Sequence, residues 1–234
     1  MQVDRSLVEG LDLFEGMEPE GVDDVLSYAT SRRYPQGEIV FEQGSEAEQF
    51  FLLLHGRVRA TQLTAEGQQV VVRMVNPGDI LGIARALRRL DYPATAAAVA
   101  DSIVMIWPMS KWDDFMRDHP VLAINAMRTI GGRLQEAQTR MRELATEAVE
   151  RRVAHAVLRL ANQAGKREND GVRIDFPLSK QDIAEMTGTT LHTVSRIFTA
   201  WEAAGLIKGG RQKLMVCDPH QLVLIGDGLK PGRP

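Results

Sequence analysis

The stretch from Ser179 to Phe198 concentrates side chains that could read a nucleic acid. The Arg196 guanidinium can bond both acceptors of a guanine edge, and His192, Thr193 and Ser195 can meet base edges or phosphates from the same helical turn. For these groups to act together they must leave one side of a helix. Val194, Ile197, Phe198 and Trp201 fall at i, i+3, i+4 and i+7 and supply the opposite, inward-packing side. Ahead of them, Ser179 reads as an N-cap with Asp182 three residues on, which starts a first helix over 180–187 and brings Lys180 to its front. Gly188 can end that helix in the left-handed conformation, and Thr189 and Thr190 can cap the next, with Leu191 at its first position. A helix, a tight turn and a second helix place side chains in the DNA major groove.

The residues after the second helix point the same way. "AAGLI" leads into the basic stretch Lys208-Gly209-Gly210-Arg211-Gln212-Lys213 and then the strand-like Leu214-Met215-Val216, the pattern of a basic hairpin wing. The chain's net charge is −3, yet from Ser179 to Lys213 five Lys/Arg face three acids, a balance of +2. The 234 residues, 44% hydrophobic, suffice for two domains with their own cores. No apolar run spans a membrane and the N-terminus lacks a signal-peptide layout, so a cytoplasmic protein without membrane partners is expected. Cys217 is the single cysteine and fits a small strand residue, which excludes a disulfide framework or a cysteine-ligated iron–sulfur cluster within one chain.

Two further segments must position the reading head. In the first 110 or so residues, glycines at 37, 44, 56, 67 and 78 separate apolar runs such as Phe50-Phe51-Leu52-Leu53-Leu54 and Val70-Val71-Val72, after a short helical lead from Pro19 to Thr30. Short strands between regular glycine turns predict a small β-roll or jelly roll. From Pro120 the pattern becomes helical. Ala123, Met127, Ile130, Leu134, Ala137, Met141, Leu144 and Ala148 alternate in steps of four and three, a heptad seam that wants a partner helix, although Gly131-Gly132 weakens it. Met127, Ile130, Leu134, Ala137, Met141 and Leu144 form the expected homodimer contact; packing on the chain's own roll is the alternative. Helix resumes from Ala148 to Ala164, followed by a polar loop over 166–171. The expected fold is α+β: a β-roll sensor domain over 1–118, a dimerisation helix and hinge over 119–147 with the bend near Ala145 to Val149, and a winged helix-turn-helix domain over 148–234.

This order resembles the CRP/FNR family of bacterial transcription regulators, from about Leu13 to Leu224. The resemblance rests on "PQGEIVFEQGSEAEQFFLLLHGRV", "VNPGDILG" and "TLHTVSRIFTAWEAAGLI" in the right order. It implies a cyclic-nucleotide-binding-like roll, a homodimer on a palindromic duplex and RNA polymerase as a partner. The family's cyclic-AMP cassette has a Glu and an Arg in slots that here hold Ile83 and Ala94, so cyclic AMP is not expected. Nor is the cluster of the oxygen-sensing branch, whose N-terminal cysteines are missing. The expected effector pocket is apolar: Leu81, Ile83, Leu87, Tyr92, Ala94 and Ala96 with Met127, Ile130 and Leu134. "DYPATAAAVADS" is similar to the nitric-oxide-responsive DNR and NnrR branch, which implies nitric-oxide sensing through haem and a role in denitrification; a core without ligand is the other reading. His55 is the one histidine inside the roll and a weak candidate for the iron, since it precedes a glycine turn.

In the family pattern a Glu and an Arg four residues apart read a C·G pair; Arg196 keeps the second role while His192 replaces the Glu, so the half-site should differ there. A haem protein or small-molecule enzyme on a regulator scaffold stays open as the alternative to a regulator. No paired-carboxylate, Ser-His-Asp or nucleotide-loop arrangement supports catalysis.

Overall fold

The computed structural model describes residues 4–229. By its internal contacts the chain divides into one unit of residues 1–68 and 72–137 and a second of residues 69–71 and 138–234.

In the first unit, helix α1 (Pro19–Ser27) leads into strands β1 (Thr30–Tyr34), β2 (Ile39–Phe41), β3 (Gln49–Leu63), β4 (Gln69–Val75), β5 (Ile80–Leu81) and β6 (Thr95–Pro108), then helix α2 (Trp112–Asp118) and the start of α3 (Pro120–Thr146). The strands hydrogen-bond in the order β1-β6-β3-β4, with β2 on β6 and β5 on β3. The expected roll is present, but it is not built of uniformly short strands. β3 and β6 are 15 and 14 residues long and pair antiparallel from Gln49↔Pro108 to Thr61↔Thr95. Gly56 is where the expectation fails: it makes no turn. With φ +90° it sits at register shifts between His55, Arg57 and Val58, so β3 bends through a bulge and continues. A Cβ at Gly56 would collide with the Asp101 carbonyl and Ser102, which is why the residue is glycine.

The start of β3 and the end of β6 are buried on both faces, in consecutive runs and without alternation, so that Phe51, Leu52, Leu53, Val104, Met105 and Trp107, together with Val58 beyond the bulge, are almost completely buried. Phe50 stacks on Trp107 at 5.3 Å and meets Trp112 edge-on at 5.1 Å, and the Trp107 Nε1 donates to the Val25 carbonyl at 2.8 Å, which ties α1 to the sheet. The first turns of α3 join this core through Leu122 and Ala126, while buried Asn125 donates to the carbonyls of Leu13 (3.1 Å) and Glu15 (2.8 Å).

The second unit continues with α4 (Val149–Ala164), β7 (Gly165–Glu168), β8 (Gly171–Ile174), α5 (Lys180–Thr187), α6 (Leu191–Ala203), β9 (Ile207–Gly210), β10 (Lys213–Val216) and α7 (Pro219–Gly226). Its sheet runs β7-β8-β10-β9. The segment expected as a polar loop after α4 is therefore a hairpin, turned at Asn169-Asp170 before Gly171. Asp-Gly is a hairpin signal, but the charged residues of the first strand give it no apolar alternation to flank. Between α3 and α4 the helix breaks at Glu147 and Ala148, where Ala148 is extended. The Glu143 carboxylate, 8% exposed, accepts from Arg159 at 2.6 Å and fastens the end of α3 to α4.

Candidate functional site

Helices α5 and α6 have the caps that the sequence requires. The Ser179 hydroxyl accepts from the Asp182 amide (3.0 Å) while the Asp182 carboxylate accepts from the Ser179 amide (2.8 Å) and hydroxyl (2.6 Å), a complete capping box. Gly188 ends α5 at φ +60°; the Leu144 side chain lies 3.0 Å from where a Cβ would stand, so glycine serves both conformation and space. Thr190 caps α6 by accepting from the Thr193 amide, and the two threonine hydroxyls share a 3.0 Å hydrogen bond. The hydroxyls of Ser179, Thr190 and Thr193, expected at DNA, are thus also engaged as caps.

Along α6, Val194, Phe198 and Trp201 are buried and Ile197 is half-buried, while Leu191, His192, Arg196 and Thr199 are exposed and Ser195 is partly so. Neither Arg196 nor His192 makes a side-chain hydrogen bond or ion pair within the described residues, so both are available to a partner. Lys180 lies with its Nζ 5.7 Å from the Phe198 ring centroid. Trp201 donates through Nε1 to Glu150 at 3.0 Å, which fixes α6 to the start of α4.

In the wing, β9 and β10 pair from Ile207↔Val216 to Gly210↔Lys213, and Gln212 takes φ +55° at the tip. Arg211 and Lys213 are exposed there. Lys208 is not free: its ammonium meets the Asp170 carboxylate at 2.8 Å, from the β7–β8 turn. This bond raises the ammonium pKa and holds the carboxyl below its usual range. Its acidic partner is 38 positions away in sequence, beyond the reach of local patterning.

The expected apolar pocket is not brought together as one lining. Leu81, Ile83, Tyr92 and Ala96 belong to the packed core of the roll, with Ile130 against them and Ala94 buried. The Tyr92 ring stacks on Phe41 at 4.1 Å and its hydroxyl donates to the Gln49 carbonyl at 2.7 Å. Leu87 is exposed in the turn Ala84–Leu87, and Met127 and Leu134 are 64% and 60% exposed on α3. The expected lining is thus split between buried core positions and exposed ones, and Ile130 packs against the core of the roll. Met127, Leu134 and Met141 stay on the exposed stripe, with Ala137 and Leu144 also exposed. His55 projects from β3 into solvent, and among the described residues no group of three His, Cys, Asp or Glu could hold a metal.

A polar cleft is found instead, on the first unit. Arg73, Asp79, Arg128, Gly132, Arg133 and Glu136 are among the residues around a volume of about 340 Å³ beside α3. Sequence reasoning missed it because Arg128 and Arg133 lie off the heptad stripe and Arg73 reads as an ordinary solvated strand residue.

A roll of this topology followed by a capped helix-turn-helix with a basic wing defines a DNA-binding transcription regulator. Residues 31–119 match the model of the cyclic nucleotide-binding domain and residues 151–225 that of the Crp-like helix-turn-helix domain. The chain is 31% identical over 222 residues, 95% of its length and 100% of the other's, to the cyclic AMP receptor protein of Thermus thermophilus. It is 23% identical over 90% of its length, and 94% of the other's, to a CRP-like cAMP-activated global transcriptional regulator of Mycobacterium tuberculosis. The fold superposes on FixK2 of Bradyrhizobium japonicum with a TM-score of 0.73 at 22% identity, covering 88% and 99% of the two chains. The chain belongs to the CRP/FNR family of transcription regulators.

Proposed function

We propose that this regulator acts in the cytoplasm as a homodimer on a palindromic duplex, with RNA polymerase as its protein partner, under the control of a small effector other than cyclic AMP. The observation that carries DNA reading is the exposed pair His192 and Arg196, with no protein partner of their own among the described residues, beside a basic wing tip. Two such helices related by a two-fold axis would meet successive major grooves about 34 Å apart. Dimerisation draws support from the stripe of Met127, Leu134 and Met141, each 60–67% exposed on a 27-residue helix. Gel-shift titration of palindromic and scrambled duplexes over several salt concentrations tests the reading; equal affinity for both would overturn it.

Against cyclic AMP stand Ile83 and Ala94, 7% and 8% exposed, where a ribose carboxylate partner and a phosphate cation are needed. The relatives named for cyclic AMP make this the reading to test first: a calorimetric titration with cyclic AMP should give no saturable heat. Nitric oxide read through haem, in denitrification, rests only on the likeness of Asp91–Ser102 to one branch. A saturable Soret band that changes operator affinity would establish it; unsaturable haem uptake would dispose of it.

A further inference from the structure

The polar cleft on the first unit has an under-neutralised cation at its wall. Arg133 reaches from α3 into the roll, where one of its terminal nitrogens donates to the Ile80 carbonyl. Its Nε is buried and has no acceptor. A guanidinium carries five donors in a planar fork, so a carbonyl leaves most of its capacity unused. Desolvation, with Arg73 nearby, pulls its pKa down to about 10, and it remains charged at neutral pH.

The acids around it do not answer this charge fully. Asp79 is engaged by Arg73 at 2.5 Å and by the Asn76 amide at 2.7 Å. Arg128 also has an uncharged partner, donating to the Asn125 Oδ1 at 3.2 Å. Glu136 and Asp12 lie at the exposed edge, where water weakens their field. Gly132 borders open space in the cleft, since a Cβ there would meet no atom within 4 Å.

We propose that this cleft binds a compact small-molecule oxyanion, a carboxylate or phosphate group seated on the guanidinium groups of Arg133 and Arg128. Charge-assisted, bidentate pairing of this kind satisfies donors that the protein leaves idle, and about 340 Å³ holds a metabolite-sized molecule. Neither Ile83 nor Ala94 lines the cleft, so the ligand does not depend on the cyclic-nucleotide slots. Uptake is measured without DNA, so failure here would leave the DNA-binding reading untouched.

The full chain is titrated calorimetrically with sodium succinate and, separately, with inorganic phosphate, at constant ionic strength set with chloride. At least one should saturate with one molecule per chain, and which one does so names the oxyanion. Arg128→Gln should weaken that binding at least tenfold, about 1.4 kcal/mol. Arg133→Met should abolish it. Gly132→Leu keeps both cations but fills the cleft, and should abolish it too; Arg128→Gln and Gly132→Leu, both at exposed positions, decide the matter if Arg133→Met does not fold. No saturable heat from either anion up to about 10 mM, or equal affinity in Arg128→Gln and Gly132→Leu, would overturn the proposal.

Discussion

Arg196 and Lys208 are both cations of the DNA-binding unit, but they are placed for different work. Arg196 is unpartnered among the described residues and sits one turn beyond His192, so Arg196→Ala should cost about 1–3 kcal/mol at the cognate site and relax preference at one symmetric base pair. Gel-shift titrations on cognate and single-substituted duplexes measure this. Lys213→Ala should weaken all duplexes alike and lower the salt slope by about one. Lys208 must first leave Asp170, 2.8 Å away, and Asp170→Asn should therefore strengthen binding to any duplex and steepen its salt dependence. A variant with unchanged salt slope would show that the pair does not compete with phosphate. Residues whose role is set locally were legible: Ser179, Gly188 and Thr190 act over three or four positions, within the reach of a sequence pattern. Asp170 and the buried setting of Arg133 are set by distant chain and were not.

At the scale of elements, the two helices of the reading head begin and end where their caps require, whereas the long strands of the roll were divided at a glycine that proves to be a bulge. A glycine with positive φ marks a turn or a bulge equally well, and only cross-strand pairing tells them apart. Gly56→Ala should lose about 2–4 kcal/mol, because it adds left-handed strain to a collision with Asp101 and Ser102; denaturant unfolding measures the loss. In α3 the heptad spacing was visible, but Ile130 turned to the roll because one side of the helix continues the buried row of Leu122 and Ala126. The exposed part of the stripe carries the test of dimerisation. Leu134→Asp should yield monomers without operator affinity, by placing a charge in the paired contact. Light scattering that still reported a full dimer would assign the contact elsewhere.

At the scale of the whole molecule, the order of roll, long helix and winged domain was readable because each part announces itself through a different period. The state of the roll interior was not. A set of apolar residues in sequence cannot say which of them will share a lining, and here Leu81, Ile83, Tyr92 and Ala96 are buried in the core while Leu87, Met127 and Leu134 are exposed. The end of the long helix is held to α4 by Glu143 and Arg159 at 2.6 Å, and Glu143→Ala should destabilise the second unit by about 1–2 kcal/mol, since Arg159 keeps some access to water; thermal unfolding of that unit measures it. Tryptophans 107 and 112 lie in the roll, and Trp201 is the remaining one of three. Trp201 is buried, stacked 5.9 Å from Phe198 and bonded to Glu150, so its indole emission reports the seating of the recognition helix. A chain carrying Trp107→Phe and Trp112→Phe would hold one indole fluorophore, and a red shift of its emission in Glu150→Ala, which removes the acceptor of the indole N–H, would register the loosening of that helix by colour alone.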